Sequence, residues 1–302
     1  MGSTRFFGQP IVRNEDPHLL TGQALFVDDV QLPEMLHAAF VRSTYAHARI
    51  VSIDVSKALE REGVVAVYTA ADLGDYWKPG PLLVPPPPID GIVFNQRTQV
   101  PLAKEKVRFV GEPLVMVLAE SRYIAEDALQ DIYVDYDPLS VVADLTTALE
   151  ADCALVHDDL NTNLCAHVVQ TKGDYFDAKK KAACVLKREF VYDHGARQLW
   201  KIVVLLQVGI GELSALRSGI QLRLPYLFVM VCRNAPAFRE SGRVIAPFLG
   251  GGFGPKIMMF YQEEVLIPWA AMKKGRPIKW IEDRSENFFS TTQGRSQNIQ
   301  LK

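Results

Sequence analysis

Residues 112–139, EPLVMVLAESRYIAEDALQDIYVDYDPL, place a strand, a helix and a second strand in succession. The first part is an uninterrupted apolar run, which is typical of a strand buried on both faces. Ser121 precedes the periodic run RYIAEDALQ and is suited to cap a helix there. In the last part Ile132, Val134 and Tyr136 alternate with polar residues, as in a half-buried strand. This stretch therefore predicts a fold that combines helices with a sheet.

The residues before this stretch repeat the same alternation. Runs rich in apolar and β-branched residues predict three further strands, at 35–43, 48–55 and 64–73. A short helix is predicted at 56–62, where Gly63 ends it. Four prolines at 85–88 favour an extended segment and exclude regular structure. The sequence predicts an α+β domain at residues 23–144, preceded by an N-terminal arm at residues 1–22.

The remainder of the chain, residues 145–302, is predicted to begin a second domain. Residues 145–195 are polar until the run ACVLKREFVYDHG, whose alternation predicts a strand. Apolar residues at helical spacing predict a helix at 261–273, with a kink or a later start because Pro268 lies inside it. Residues 276–288 are predicted as a strand that leads into a loop.

Composition and charge narrow the class of protein. The 302 residues are 48% hydrophobic and 23% charged, which is ordinary for a globular chain, and the net charge is −2. This charge gives no reason to expect a nucleic acid or an acidic membrane as partner. The apolar runs at 202–206 and 227–232 are far shorter than the ~20 residues that span a bilayer. The first residues lack the apolar core of a signal peptide, so we expect a cytoplasmic protein.

The side chains that most often bind metals or catalyse reactions form no recognisable group in the sequence. The four cysteines, Cys153, Cys165, Cys184 and Cys232, include no Cys-x-x-Cys pair, so we expect no iron–sulfur cluster or zinc ribbon on this chain. The six histidines do not fall at metal-ligand spacing and are expected to serve in packing or at the surface. The pairs Asp28–Asp29 and Asp158–Asp159 resemble acid/base groups, but aspartates more commonly form turns.

A glycine-rich loop, GGGFGPK at residues 250–256, follows the hydrophobic run VIAPFL. Bare backbone N–H groups between a strand and a helix form a cradle for a phosphate or another anion. The spacing fits neither the Gly-x-Gly-x-x-Gly dinucleotide pattern nor the Gly-x4-Gly-Lys-Ser/Thr phosphate loop. Taken alone, the pattern leaves two interpretations open: a ligand-binding loop, or a tight turn that lets a strand and a helix pack.

Three stretches, at residues 19–50, 107–129 and 134–142, closely resemble one known domain. It is the α/β hammerhead domain of the molybdenum hydroxylase large subunit, the family of xanthine dehydrogenase, aldehyde oxidase and aerobic carbon monoxide dehydrogenase. The run APFLGGGFGPK at 246–256 resembles the loop with which this family holds its molybdopterin cofactor. The chain as a whole resembles the N-terminal third of that subunit.

The resemblance implies a fold, a cofactor and partners. It implies a hammerhead domain followed by a truncated molybdopterin-binding domain. The cofactor-binding residues carried over are Gly250, Gly251, Gly252, Phe253 and Gly254, with Phe253 near the metal site. The expected cofactor is molybdenum–molybdopterin, in the cytosine dinucleotide form. Iron–sulfur and FAD subunits on separate chains would take the electrons.

The activity implied by the resemblance is hydroxylation of an aldehyde, an N-heterocycle or CO by an oxidoreductase. The family's catalytic carboxylate and its other cofactor loops lie beyond the equivalent of Lys302, so we expect no catalytic residue or metal ligand here and no turnover by this chain alone. The alternatives are a non-catalytic hammerhead module that docks partner subunits, an inactive pseudogene product, or an unrelated nucleotide binder that uses the glycine loop.

Residues 197–242 depart from the family pattern. The family has the segments MENRG, VWDTTQAP and RNG, whereas this chain has RQLWKIVVLLQVGIGELSALRSGIQLRLPYLFVMVCRNAPAFRESG. Suppose each codon is formed from the last base of one codon and the first two of the next. Residues 199–204 then permit MENRG, 217–225 permit VWDTTQAP and 228–232 permit RNGL. We therefore expect residues 197–242 to be translated out of frame, with the family glutamine replaced at Leu222.

Overall fold

The computed structural model describes residues 8–80, 91–192, 204–210, 213–218, 243–245, 247–248, 261–291 and 297–301. The α-helices in these residues are α1 (Asp16–Leu20), α2 (Ser56–Glu60), α3 (Arg122–Ala128), α4 (Tyr175–Lys181), α5 (Glu263–Lys274) and α6 (Arg284–Ser290). Three short 3₁₀ helices lie at Val27–Asp29, Ala70–Tyr76 and Leu129–Asp131.

The strands in the described residues are β1 (Leu36–Arg42), β2 (Ala48–Asp54), β3 (Val64–Thr69), β4 (Val93–Phe94), β5 (Lys106–Val107), β6 (Pro113–Ala119), β7 (Tyr133–Pro138), β8 (Ala166–His167), β9 (Arg188–Tyr192), β10 (Val204–Ile210), β11 (Leu213–Ser218), β12 (Arg243–Ile245), β13 (Ile278–Ile281) and β14 (Gln297–Leu301).

The main sheet contains seven strands in the order β12-β11-β10-β13-β1-β6-β3. Strand β1 runs parallel to β13, with Leu36 opposite Ile278, and antiparallel to β6, with Ala39 opposite Val117. Strand β13 also pairs antiparallel with β10. One sheet therefore joins the first 120 residues of the chain to its last quarter.

Strand β6 is apolar throughout because it is covered on both faces. All seven of its residues are buried. Leu114 and Val115 pack with Ala48 and Val107 of a second, three-stranded sheet in the order β5-β2-β7. Further along β6, Met116 and Leu118 belong to the largest hydrophobic cluster, which faces α5 and β13. The prediction of a strand buried on both faces is confirmed.

The largest cluster is built by residues from both ends of the chain. Phe40 on β1 and Trp280 on β13 meet edge to face, with ring centroids 5.7 Å apart. Tyr68 on β3 meets Trp269 on α5 in the same manner at 4.9 Å. Pairs of this geometry contribute about 0.5–1.5 kcal/mol beyond the area they bury. The core of the first domain thus continues into residues 261–291, and the boundary at residue 144 stays a prediction.

Several elements agree with the sequence-based predictions. Ser121 caps α3, since its Oγ accepts a hydrogen bond from the backbone nitrogen of Ile124 at 3.2 Å. In strand β7 Tyr133 is exposed. Val134 and Tyr136 are partly buried against the cluster that contains Ala48, Val107 and Leu114. Helix α5 starts at Glu263, later than the first residue of the predicted range 261–273, and continues across Pro268.

Two predicted strands are present, but their C-terminal ends were placed wrongly, both for reasons of local capping. The strand predicted at 64–73 ends at Thr69, where Asp72 Oδ2 accepts a hydrogen bond from the backbone nitrogen of Thr69 at 2.7 Å and starts a 3₁₀ helix. The second half of the strand predicted at 276–288 is helix α6. Asp283 caps that helix by accepting from the backbone nitrogen of Glu286 at 2.6 Å. An acidic cap at this spacing signals a helix start.

Residues 165–192 contain two strands and a helix but no buried side chain. Helix α4 begins at Asp174, whose carboxylate accepts from the backbone nitrogen of Asp177 at 2.8 Å. Strand β9 pairs antiparallel with β14 in a two-stranded ribbon. Every residue from 165 to 192 is exposed. None of the helices in the described part of the chain has the length and apolar character needed to cross a bilayer.

Candidate cofactor-loop site

The glycine loop lies between two described flanks. The predicted cofactor-binding residues Gly250, Gly251, Gly252, Phe253 and Gly254 lie outside the described residues. The flank before the loop is Pro247–Phe248 and the flank after it begins at Tyr261. The geometry of these two flanks defines where the loop leaves and re-enters the folded chain.

The flank before the loop contacts the N-terminal part of the chain. The ring of Phe248 lies 6.1 Å from that of His18 on α1 and 6.4 Å from that of Phe26, measured between centroids. Both pairs are tilted. His18, expected from the sequence to serve in packing or at the surface, therefore makes an aromatic contact beside the loop.

The flank after the loop is buried. Tyr261 is 5% exposed, and its backbone nitrogen donates to Glu264 Oε2 at 3.1 Å. Gln262 is 3% exposed, and its side-chain Nε2 donates to no described residue. A buried amide donor without an acceptor costs about 1–3 kcal/mol. Gln262 therefore offers an unsatisfied donor at the end of the loop.

The first residue of α5, Glu263, belongs to a buried ionic cluster centred on Arg42. Arg42 ends β1, and its side chain is 5% exposed. Its Nε donates to Glu286 Oε1 at 2.6 Å, one terminal nitrogen donates to the carbonyl oxygen of Gly111 at 3.1 Å, and the other contacts Glu263 Oε1 closely. One guanidinium therefore links a strand, two helices and a turn.

The electrostatics of this cluster follow from two carboxylates that share one arginine. Burial raises the pKa of Glu286 to about 7; Arg42 opposes the rise and the charge of Glu263 adds to it. Burial opposes the charge of Arg42, but the two carboxylates outweigh it and raise the pKa of that guanidinium. The cluster has more negative than positive groups, so near neutral pH Glu286 readily takes up a proton.

Gly111 brings α6 close to this cluster. Its φ is +94°, and a Cβ added there would lie 2.3 Å from the backbone oxygen of Phe289 on α6. Only glycine fits such an approach. The neighbouring Glu112 is 3% exposed and accepts from the backbone nitrogen of Arg108 at 2.7 Å. Burial raises the pKa of Glu112 to about 7, although the hydrogen bond from the Arg108 backbone and the charge of Arg108 lower it.

Comparisons with known families identify both parts of the chain. Residues 21–140 match the model for the aldehyde oxidase and xanthine dehydrogenase a/b hammerhead domain, and residues 232–302 match the molybdopterin cofactor-binding domain. This chain belongs to the molybdenum hydroxylase large-subunit family. The predicted fold, a hammerhead domain followed by part of a molybdopterin-binding domain, is confirmed.

Individual members of the molybdenum hydroxylase family are similar over nearly the whole chain. The carbon monoxide dehydrogenase large chain of Afipia carboxidovorans is 35% identical over 95% of this chain, and the nicotine 6-hydroxylase large subunit of Paenarthrobacter nicotinovorans is 31% identical over 100%. Quinoline 2-oxidoreductase from Pseudomonas putida 86 superposes with a TM-score of 0.85 at 32% identity over 96% of this chain, and 36% of that chain is covered. The chain spans 36% and 37% of the length of the first two relatives.

Of the residues considered in the sequence, the acidic pairs are structural. Asp158 Oδ2 accepts from Lys106 Nζ at 2.5 Å, and Asp159 pairs closely with Arg97. Asp29 accepts from the backbone nitrogen of Phe26 at 2.8 Å in a turn. Within the described residues no group of three or more histidine, cysteine, aspartate or glutamate side chains is placed to hold a metal ion.

Sequence reasoning missed the cluster around Arg42. Nothing in the local pattern pairs residue 42 with Glu263 or Glu286, which lie more than 200 residues away. Two weak signals were present: an arginine at the end of an apolar strand, and the acidic start of α5. A buried charge needs a partner of opposite sign.

Proposed function

We propose that this chain supplies the hammerhead domain and one cofactor loop of a molybdenum hydroxylase large subunit, an oxidoreductase component that hydroxylates an aldehyde, an N-heterocycle or CO. The observation that carries the proposal is the match of residues 232–302, which contain the glycine loop, to a molybdopterin cofactor-binding domain. The flanks of that loop support it, because hammerhead residues contact both of them: Phe26 meets Phe248 before the loop, and Arg42 pairs with Glu263 after it.

The residues present fit an acceptor-rich cofactor. Backbone N–H groups of Gly250, Gly251, Gly252 and Gly254 suit a phosphate or a pterin that approaches closely. The unpaired Nε2 of Gln262, in the flank that follows the loop in the chain, is a further donor. When bound, molybdopterin with its molybdenum supplies the redox centre. The loop residues would hold and orient this group, with Phe253 near the metal.

The form of the pterin, the partner subunits and the location in the cell are proposed from the family alone. We propose the cytosine dinucleotide form of the pterin, iron–sulfur and FAD subunits on separate chains, and a cytoplasmic location. Relatives named as a large chain or as a subunit of a dehydrogenase complex support the separate partners. Because the chain spans 36% of one such relative, we propose no catalytic residue here and no turnover by this chain alone.

Cofactor content of the purified chain tests the proposal. The chain would be expressed in a host that makes the cytosine dinucleotide cofactor, then assayed for molybdenum by mass spectrometry and for pterin by fluorescence after oxidation. We expect substoichiometric amounts of both. Gly251→Val and Gln262→Leu should lower them, whereas Gln31→Leu, at an exposed glutamine, should not.

Three results would contradict this proposal. Stoichiometric molybdenum or substrate-dependent dye reduction by this chain alone would show that the site is more complete than proposed. Nucleotide retention without metal would support the unrelated binder. A folded chain without molybdenum or pterin would support the non-catalytic docking module, which the exposed apolar side chains Phe176, Leu186 and Val191 also favour.

The out-of-frame origin of residues 197–242 remains a proposal. The hammerhead match ends at residue 140 and the cofactor-domain match begins at residue 232, so most of this segment lies between the two matches. The backbone of β10 and β11, inside the segment, is paired in the main sheet. DNA sequence around codons 196 to 243 tests the idea: codons that cannot encode MENRG and VWDTTQAP in the shifted frame would refute it.

A further inference from the structure

We propose that Arg42 is a positioning residue for the cofactor loop, through which the hammerhead domain fixes the helix that follows the loop. This inference rests on the proposed cofactor function. It assigns to the hammerhead domain a part in cofactor binding that its sequence does not indicate, because Arg42 lies more than 200 residues before the loop in the chain.

The first step is that Arg42 is itself rigidly held. It lies in β1, between β6 and β13 in the main sheet, and only 5% of its side chain is exposed. Its guanidinium uses all three nitrogens at once, on Glu263, Glu286 and the carbonyl of Gly111. A planar guanidinium with five donors suits such divergent acceptors, whereas a lysine ammonium presents a single charged point.

The second step is that Glu263 has no comparable alternative to Arg42. Its side chain is 2% exposed, and Arg42 is its ion-pair partner among the described residues. A buried carboxylate that loses its cation is strongly destabilised, so the first turn of α5 would move toward water. Tyr261 and Gln262, the described flank after the loop, immediately precede Glu263, so this flank would move with it.

The rest of α5 does not depend on Arg42. The later turns of α5 are held by apolar packing, with Leu266, Ile267 and Trp269 in the largest core cluster. Loss of the Arg42–Glu263 pair should therefore loosen the backbone hydrogen bonds of residues 261–266, among them that of the Leu266 nitrogen to the Gln262 carbonyl oxygen, while the apolar side chains of α5 stay packed. The structural response is confined to the turn nearest the loop.

Glu286 provides an internal control. It pairs with the same arginine at 2.6 Å but lies on α6, which is not the helix that follows the loop in the chain. Helix α6 has further support of its own, since Asp283 caps it and Asn287 donates to Glu282 at 2.7 Å. Glu286→Gln therefore alters the same cluster and leaves the pair between Arg42 and Glu263 intact.

Hydrogen exchange and cofactor retention test the proposal together. Exchange of residues 261–266 would be measured by mass spectrometry in the full chain, and pterin and molybdenum content in the same preparations. We expect Glu263→Gln and Arg42→Met to speed exchange there about tenfold and to lower cofactor content about tenfold. Arg42→Lys should recover part of both. Glu286→Gln should change neither by more than about twofold.

Three outcomes would contradict part of this proposal. Equal effects of Glu263→Gln and Glu286→Gln on exchange would show that the cluster only stabilises the fold. Faster exchange in Glu263→Gln without a loss of cofactor would show that the helix does not position the loop. Should the unmodified chain retain no cofactor, the proposed function fails; exchange at residues 261–266 then still decides whether Arg42 fixes the end of the loop.

Discussion

The core shared by β1, β6, α5 and β13 differs from residues 165–192 in one respect, the presence of a covering surface. Both regions have a well-formed helix and paired strands. In the first, Phe40 and Trp280 are at most 6% exposed, whereas in the second Phe176 is 74% exposed. Local signals are sufficient to form a helix or a strand in either place. The contribution to stability comes from burial, which only the first region has.

The largest expected effect comes from truncating a side chain in the shared core. Trp280→Ala removes a ring that is 3% exposed and pairs edge to face with Phe40. We expect it to lower the free energy of unfolding by about 3–5 kcal/mol. Phe176→Ala, the matched change in the exposed region, should alter it by less than about 0.5 kcal/mol. Chemical denaturation of both variants measures the two losses in the free energy of unfolding. Similar losses in Trp280→Ala and Phe176→Ala would contradict the prediction.

An intermediate effect is expected at the buried acid Glu112. Its pKa of about 7 exceeds the ordinary value of 4.5, so the folded chain keeps a proton that the unfolded chain releases. The stability contributed by this proton is complete at low pH and is lost as pH rises from about 4.5 to about 7. Glu286 acts in the same direction, so Glu112→Gln should remove only part of this decline.

The size of the Glu112 effect is at most about 3 kcal/mol, since one pKa unit corresponds to about 1.4 kcal/mol. Glu112→Gln should therefore gain stability relative to the unmodified chain as pH increases to 7. Denaturation at several pH values measures this gain. Glu189→Gln, at an exposed site in β9, serves as the control. A pH slope that Glu112→Gln leaves unchanged would show that the acid is not buried in solution.

The smallest effect is expected from a helix cap in the exposed region. Asp174→Ala removes the acceptor for the backbone nitrogen of Asp177 and should destabilise α4 by about 1 kcal/mol. Because α4 buries no residue, the loss should appear as faster local hydrogen exchange without a change in global unfolding. Ser121→Ala, the corresponding change on the packed helix α3, should lower global stability by a similar amount. A global loss in Asp174→Ala would indicate that α4 is packed after all.

The parts of the fold that depend on local pattern were accessible from the sequence. The apolar run of β6, the Ser121 cap and the alternation of β7 each have a short-range physical cause. The errors at Thr69 and Asp283 were also local, because an acidic residue caps the backbone and outweighs strand propensity there. Pairing between distant segments was not accessible, since no periodicity relates β1 to β13.

In the candidate site, too, local motifs could be predicted from the sequence and long-range contacts could not. The glycine loop and its family resemblance were recognisable as a motif, and the molybdopterin-binding match supports that interpretation. The roles of Gly250 to Gly254 stay predictions, because those residues lie outside the described part of the chain. Arg42 and Gln262 were missed, since burial alone distinguishes them from ordinary surface residues.

The parallel pairing of β1 with β13 has a consequence for the order of events during synthesis. Near that pairing, Arg276 Nε donates to the carbonyl oxygen of Glu34 at 2.9 Å across 242 residues of chain. A ribosome adding roughly 5–20 residues per second needs about 12–50 s to make that length. Throughout this interval one edge of β1 lacks its permanent neighbour and is open to pairing with other nascent chains. The pace of translation between β1 and β13, and the supply of chaperones in that window, therefore govern the yield of folded protein.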